Sequence, residues 1–410
     1  MTRILLLVPS RTYRATDFIE AARALDVEVV VGTQDPSPIA DAGAGATAAV
    51  DLEDVEAGRR AIVELDRDRP LDAVVPVDDG STLVAAAAAE ALGLAHNRLE
   101  AVEASRDKAR TRELLARAGL LTPRFRTWPA DADPDEVPTA TFPVVVKPID
   151  LSGSRGVIRA DDPAGLAAAF ARVAAIVRSP EVCPSGELPQ RILVEDFIPG
   201  LEVAVEGLLR DGRLEVLAIF DKPDPLDGPY FAETIYVTPS RLPTERLALV
   251  ERTTAAAATA IGLTEGPIHA ELRVNGGGAW VLEIAARSIG GLCGRTLRFG
   301  AGISLEELIL RHAAGMALPP HERERAAAGV LMLPIESAGI LREVRGRVAA
   351  EAVPGIEGLR ITIPPGEPLV PLPEGDRYLG FMFARSATPA LVEAALREAW
   401  SRLEVVADQA

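Results

Sequence analysis

Short, almost continuous apolar runs at residues 4–8, 27–31 and 73–77 predict buried strands near the start of the chain. The segments at residues 17–25, 55–66 and 81–92 have helical spacing or a high alanine content and predict helices. This alternation predicts a parallel α/β layer, in which ligands bind at the carboxyl ends of the strands. The loops at residues 9–11 and 78–81 are therefore candidates for substrate contact, although ordinary polar loops show the same pattern. No Gly-x-Gly-x-x-Gly follows the first strand, so we do not expect a dinucleotide site there.

A lysine follows a further apolar strand. Residues 142–148 (Phe-Pro-Val-Val-Val-Lys-Pro) place Lys147 at the strand end, before the loop Ser-Gly-Ser-Arg-Gly-Val at residues 152–157. Backbone N–H groups of such a loop can hold phosphate oxygens, and the ammonium neutralises them. Gly/Ser turns are common, so the loop alone says little, but strand, lysine and loop together favour phosphate binding. Upstream, residues 105–118 predict a helix capped by Ser105. Lys108 lies in its first turn against the helix dipole, which hints at a function, with a solvated surface lysine as the alternative.

Residues 191–198 predict a strand that runs into a Pro-Gly turn, with another strand at residues 202–209. The connector Glu-Asp-Phe-Ile at residues 195–198 could offer backbone N–H and C=O groups to an adenine edge, with Phe197 and Ile198 flanking the ring. The alternative is a plain strand–turn–strand with an exposed Glu195.

Residues 269–285 predict two strands joined at Asn-Gly-Gly-Gly, a sequence that favours hairpins. A three- or five-residue loop centred on Gly277 would place Glu271 opposite Glu283, about 5 Å apart on one face of the sheet. Two like charges so placed call for a cation, and carboxylate oxygens suit Mg²⁺ carrying nucleotide phosphates. Arg287, just past the second strand, could hold an anionic oxygen. From these residues alone, a hairpin whose glutamates face water explains the pattern equally well.

Composition narrows the class of protein. The 410 residues suggest several domains, and 48% hydrophobic with 25% charged residues is typical of a globular protein. The net charge of -17 argues against binding to nucleic acid or to an anionic membrane. No apolar run reaches the roughly 20 residues of a membrane span. Cys183 and Cys293 are too few for a disulfide scaffold, so we expect a cytoplasmic protein.

From residue 326 onward, short strands at 329–334, 361–365 and 378–384 and a helix at 389–403 predict a small mixed unit beside the carboxylate hairpin.

Together these motifs resemble the ATP-grasp superfamily over nearly the whole chain. The resemblance implies an α/β and α+β fold with a Rossmann-like parallel α/β domain at residues 1–104. It also implies an ATP-grasp domain at 105–325, with its lid at about residues 125–195, and a mixed C-terminal subdomain at 326–410. It implies that Glu271 and Glu283 bind Mg²⁺ or Mn²⁺ and that Arg287 acts on the transferring phosphate. The residues that it implies for ATP binding are Lys108, Lys147, Ser154, Arg155, Gly156, Glu195, Phe197, Ile198 and Glu202.

One position departs from the commonest pattern of this family. Many members have Asn two residues after the second metal-binding Glu, where this chain has Ala285. The stretch from Glu283 to Arg287 is similar instead to the L-amino-acid ligases that make dipeptides. Metal coordination would then depend more on the two carboxylates and the phosphates.

The resemblance implies an ATP-dependent carboxylate–amine ligase that forms an amide through an acylphosphate and releases ADP and phosphate. It places Glu233, Ser288, Gly290 and Gly291 beside small amino-acid-like carboxylate and amine substrates, although Glu233 could equally face water and the glycines could form a plain turn. Homodimers are usual among similar proteins. One alternative is a carboxylase that activates bicarbonate, against which the stretch at 283–287 and the lack of a biotin-carrier segment argue. The other is a non-catalytic ATP-binding module, which would not need both lysines, both glutamates and Arg287.

Overall fold

The computed structural model describes residues 1–9, 12, 14–35, 46–134, 137, 141–183, 190–300 and 302–408. Its elements form one parallel sheet and several antiparallel sheets, so the mixed α/β prediction is confirmed. No helix within these ranges is both long and apolar enough to cross a bilayer.

The N-terminal sheet is parallel and carries the first candidate loops at its carboxyl edge. Its strand order is 3-2-1-4, with β1 (Arg3–Leu7), β2 (Glu28–Thr33), β3 (Ala46–Ala49) and β4 (Ala73–Pro76). Helices α1 (Ala15–Ala24), α2 (Val55–Asp68) and α3 (Thr82–Leu92) connect or follow these strands. Strand β1 is buried at every position, as its continuous apolar run predicts. Of the loop predicted at residues 9–11, positions 10 and 11 lie outside the described residues.

The helix predicted at residues 105–118 begins later, as α5 (Lys108–Arg117), and a separate helix, α4 (Leu99–Arg106), precedes it. Asp107 separates them because its side chain accepts a hydrogen bond from Arg110 N and caps the second helix. Ser105 lies inside α4, where its hydroxyl donates to Val102 O. Lys108 thus occupies the first position of α5 and is buried, so the solvated alternative is wrong.

A four-stranded antiparallel sheet and one helix form the region predicted to be the lid. The strand order is β5 (Phe125–Pro129), β8 (Arg191–Asp196), β6 (Val144–Pro148) and β7 (Ile158–Ala160), covered by α6 (Pro163–Val177). Asp162 and a proline at its first turn start α6, whose apolar face packs on β6 and β7.

An eight-stranded sheet forms the centre of the molecule. Its order is β13 (Gly278–Ala285), β12 (Gly266–Asn275), β9 (Leu201–Arg210), β10 (Arg213–Lys222), β11 (Ile235–Thr238), β16 (Ala327–Leu333), β20 (Gly380–Ser386) and β18 (Ile356–Ile361). The hairpin is therefore one edge, and C-terminal strands extend the opposite edge instead of packing beside the hairpin as predicted. The helices that follow are α7 (Thr244–Ile261), α8 (Leu305–Ala313), α9 (Arg347–Glu351) and α10 (Pro389–Trp400). Smaller sheets contain β14 (Arg298–Phe299), β15 (Ile303–Ser304), β17 (Gly339–Arg345), β19 (Pro368–Leu369) and β21 (Glu404–Asp408).

Candidate active site

A cavity of about 310 Å³ lies between the central sheet, the lid sheet and the loop at residues 371–378, and its size is that of a small-molecule site. Most of the side chains singled out from the sequence line it: Lys108, Lys147, Ser154, Glu195, Phe197, Ile198, Glu202, Glu233, Glu271, Glu283, Arg287, Gly290 and Gly291. Arg155, Gly156 and Ser288 do not.

The hairpin places Glu271 opposite Glu283, as predicted, but by a different route. Asn275 pairs with Gly278, so the turn has two residues and is not centred on Gly277. A β-bulge after Glu271 then adds Leu282 to the second strand and shifts the register by one residue. Because of that shift Glu271 and Glu283 are register partners, and Leu282 and Glu283 both line the cavity.

The two glutamates offer carboxylate oxygens of the kind that bind a divalent cation. The side chains of Glu271 and Glu283 are 21% and 32% exposed, so their oxygens are open to the cavity. Lys108 Nζ lies 3.7 Å from Glu283, and His269 Nε2 lies 3.5 Å from Glu271. Two hard oxygen donors on rigid strands are the ligand type that Mg²⁺ and Mn²⁺ prefer. Ala285, two residues after Glu283, has no side-chain oxygen that could bind a metal.

Lys222 is a functional candidate that the sequence analysis missed. Its ammonium contacts the carboxylates of Glu202 at 2.9 Å, Glu233 at 2.6 Å and Glu271 at 3.0 Å. Burial alone would lower the pKa of Lys222, but these three carboxylates raise it well above its ordinary value. The carboxylate oxygens lie within 4.8 Å of one another, so a cation is needed among them. The sequence contained a signal for Lys222, because this lysine ends an apolar strand, as Lys147 does.

Behind the cavity, a buried triad orients Lys147. Glu195 lies 2.5 Å from Lys147 Nζ and 2.9 Å from Arg112 Nε. Burial raises the pKa of Glu195, but Arg112 and Lys147 outweigh it and hold that pKa below its usual range. The Glu195 side chain therefore orients Lys147. It is buried, so the alternative in which Glu195 is exposed is wrong. Lys108 Nζ donates to Leu151 O at 2.7 Å, which directs it toward the start of the lid loop.

Arg287 is fixed across the domain boundary. Its Nη2 donates to Asp79 Oδ2 at 2.6 Å, and Asp79 lies in the loop after β4 that was a candidate for substrate contact. Burial alone would raise the pKa of Asp79, but Arg287 lowers it below its ordinary value, so the pair is ionised. Ser288 belongs to the same boundary: its Oγ accepts from Arg14 Nη2 at 2.6 Å. Packing against the N-terminal domain explains why Ser288 does not line the cavity.

The connector after β8 places the Phe197 ring on the wall of the cavity. The Phe197 ring has the guanidinium carbons of Arg159 and Arg273 at 4.4 and 4.8 Å from its centroid. Phe197 N donates to Pro143 O at 3.1 Å, and Ile198 O accepts from Arg273 Nη1 at 2.8 Å. Arg273 also donates to Glu202 at 2.9 Å, which fixes that carboxylate at the cavity wall.

The lid loop meets the C-terminal loop at residues 371–378. Ser154 has a φ of 57°, which turns the loop back over the cavity. Gly156 N donates to Pro373 O at 2.8 Å, and a Cβ on Gly156 would lie 2.8 Å from the Pro148 ring. Arg155 does not line the cavity; its guanidinium lies 2.9 Å from Glu181 and 3.6 Å from Asp376 of the C-terminal loop.

The far end of the cavity holds the remaining substrate candidates. Glu233 accepts from Tyr236 Oη at 2.6 Å and from Tyr378 Oη at 3.4 Å, so it does not face bulk water as an isolated charge. Gly290 and Gly291 lie beside Cys293 on the wall of this end.

A buried histidine, His269, supports the strand that carries Glu271. Glu206, which is fully buried, lies 3.0 Å from His269 Nδ1 and also accepts from Ile289 N at 2.8 Å. Burial disfavours the charged imidazole, but the bonds to Glu206 and Glu271 raise the pKa of His269 to about 9.

Comparison with known proteins agrees with this geometry. Residues 19–96 match the ATP-grasp N-terminal domain and residues 140–296 match the ATP-grasp domain. The chain therefore has the ATP-grasp fold. More particularly, residues 331–408 match the L-amino acid ligase C-terminal domain 2.

Among solved structures, the L-amino acid ligase from Bacillus licheniformis aligns with a TM-score of 0.82 and 25% identity over 100% of this chain and 99% of that chain. An alanine–anticapsin ligase from Bacillus subtilis is 27% identical over 55% of this chain and 50% of its own length. A D-alanine–D-alanine ligase from Aromatoleum aromaticum is 31% identical over 43% of this chain and 55% of its own length. The chain thus spans about half the length of these two curated relatives.

Proposed function

We propose that this chain is an ATP-dependent ligase that joins a small carboxylate to an amine and releases ADP and phosphate. The observation that carries the proposal is the convergence of Glu271, Glu283, Lys108, Lys147 and Arg287 on one cavity. The similarity to the L-amino acid ligase structure and to the C-terminal ligase domain supports amino-acid-like substrates.

The nucleotide would occupy the cavity between lid and central sheet. Its adenine would lie beside Phe197 and Ile198, with Glu202 near the ribose, and Lys108 and Lys147 would neutralise the phosphates. Ser154 in the lid loop would cover the phosphates and exclude water that could hydrolyse an activated substrate.

Glu271 and Glu283 would hold a divalent cation, Mg²⁺ or Mn²⁺. When bound, such an ion neutralises charge on the phosphate oxygens. Because Ala285 supplies no oxygen, the two carboxylates are the protein ligands on this hairpin that we assign to it.

The reaction we propose has two steps. A carboxylate oxygen of the first substrate bonds to the γ-phosphorus as the bond to the bridging oxygen of ADP breaks, which gives an acylphosphate. The amine nitrogen then bonds to the acyl carbon, phosphate leaves, and the nitrogen loses its proton. Arg287, held by Asp79, would stabilise the anionic oxygens, and Glu233 would bind an amino group of a substrate.

The test is a phosphate-release screen over amino acids taken singly and in pairs, with mass detection of products. We expect amide products with the wild type and a loss of at least about 100-fold in kcat for Glu283→Gln. Glu215→Gln is the matched control, because Glu215 is exposed on β10 and does not line the cavity. Undiminished ADP release from Glu283→Gln would refute the metal assignment.

The same screen tests the alternatives. Phosphate release that needs only bicarbonate would favour a carboxylase, and ATP binding without turnover under every condition would favour a non-catalytic module.

A further inference from the structure

Among the residues that the structure describes, one cation on the cavity wall has no counter-ion. Among the lining cations, Lys108 lies 3.7 Å from Glu283, Lys147 2.5 Å from Glu195, Arg273 2.9 Å from Glu202, Arg287 2.6 Å from Asp79 and His269 3.0 Å from Glu206. The remaining one is Arg377, which is partly buried. Within the part of the chain that the structure describes, its guanidinium has no ion pair or hydrogen bond.

The backbone around Arg377 is held on both sides. Asp376 lies 3.6 Å from Arg155 of the lid loop, and Glu374 accepts two bonds from Arg172 of α6 at 2.6 and 2.9 Å. On the other side, Tyr378 Oη donates to Glu233. Arg377 therefore lies between the lid and the end of the cavity that contains Glu233.

A guanidinium in this setting favours a carboxylate or phosphate, which it can bind through two parallel bonds. In the proposed function, Lys108 and Lys147 neutralise the phosphates and Arg287 stabilises the reacting carboxylate, and all three line the cavity. In a ligation of amino acids, the anion still without a partner is the carboxylate of the amine substrate.

We propose that Arg377 binds this carboxylate, so that the amine substrate is an amino acid with a free carboxylate and the product keeps that group. This inference rests on the proposed ligase function. It makes Arg377 a specificity residue of the acceptor subsite.

The test compares one acceptor amino acid with its carboxamide, which keeps the amine and loses the charge, at saturating ATP and donor. We expect the wild type to prefer the acid by about 10- to 100-fold in kcat/KM, the range of a charge-assisted hydrogen bond. Arg377→Met should lose this preference with the KM for ATP unchanged, and Arg377→Lys should recover part of it. Arg360→Met is the control, because Arg360 is exposed on β18 and does not line the cavity.

An unchanged preference in Arg377→Met would overturn the proposal. A higher KM for ATP with both acceptors would assign Arg377 to a phosphate, and loss of preference among donors with acidic side chains would assign it to the donor. If the wild type forms no amide with any pair, the ligase function itself fails and this inference falls with it.

Discussion

The buried triad of Arg112, Glu195 and Lys147 gives a prediction whose size and pH dependence can both be worked out. Glu195→Gln removes the carboxylate and leaves two buried cations side by side. Arg112 is fully buried and stays protonated, because an arginine does not lose its proton in proteins. Lys147 can lose its proton, and its pKa is already lowered by burial and by Arg112, against the effect of Glu195. Removal of Glu195 therefore lowers that pKa further.

Loss of one partner of a buried ion pair costs about 3–5 kcal/mol. Deprotonation of a lysine of ordinary pKa costs about 5 kcal/mol at pH 7 and about 2 kcal/mol at pH 9. This cost limits the loss of stability, because Lys147 can release its proton instead of staying charged beside Arg112. In the variant, folded Lys147 then binds one proton fewer than it does in the unfolded chain. The stability of the variant relative to the wild type should therefore rise with pH, by about 1.4 kcal/mol per pH unit below the unfolded pKa.

The assay is urea unfolding of the wild type and of Glu195→Gln at pH 7, 8 and 9, without nucleotide. The deficit in unfolding free energy should be about 3–5 kcal/mol at pH 7 and should shrink toward pH 9. The double variant Glu195→Gln with Lys147→Met is the control, because it has no lysine to titrate and its deficit should not change with pH. A single-variant deficit that is constant across this range, or below about 1 kcal/mol at pH 7, would refute the reasoning.

Two further predictions concern the walls of the cavity. Asp79→Asn removes the charge that holds Arg287, so kcat for ADP release should fall about tenfold with little change in the KM for ATP, and an unchanged kcat would contradict this role. Gly291→Ala puts a Cβ at a φ of 60° and 2.7 Å from Phe381 Cε1, so its unfolding free energy should fall by about 1–3 kcal/mol. Gly290→Ala is the matched control, because its Cβ would meet only Arg287 Nη1 at 3.9 Å; equal losses in both variants would show that the contact with Phe381 is not the cause.

The parts of the site that were predictable depend on local patterns. Lys147 ends an apolar strand, and the glutamates at 271 and 283 flank a glycine-rich turn, so periodicity and turn chemistry locate them. Asp107 is of a residue type that caps helices, but the prediction placed the cap two residues earlier, at Ser105, which is of an equally good capping type.

Other parts arise from contacts between distant segments. Asp79 and Arg287 are 208 positions apart, and Arg112 and Glu195 are 83 apart, so no local pattern joins them. The bulge was not predictable either, because a two-residue turn with a bulge and a longer turn without one both pair Glu271 with Glu283. Tertiary packing decides between them.

The bulge at Glu271 also changes the edge of the central sheet. Strand β13 is the open edge of an eight-stranded sheet, and a regular exposed edge is a template on which strands of other molecules can add. The extra Leu282 interrupts the regular spacing of backbone groups along that edge. Leu121 O accepts from Val281 N at 3.0 Å and covers part of what remains. The bulge that pairs Glu271 with Glu283 therefore also makes this edge a poorer template for a further strand.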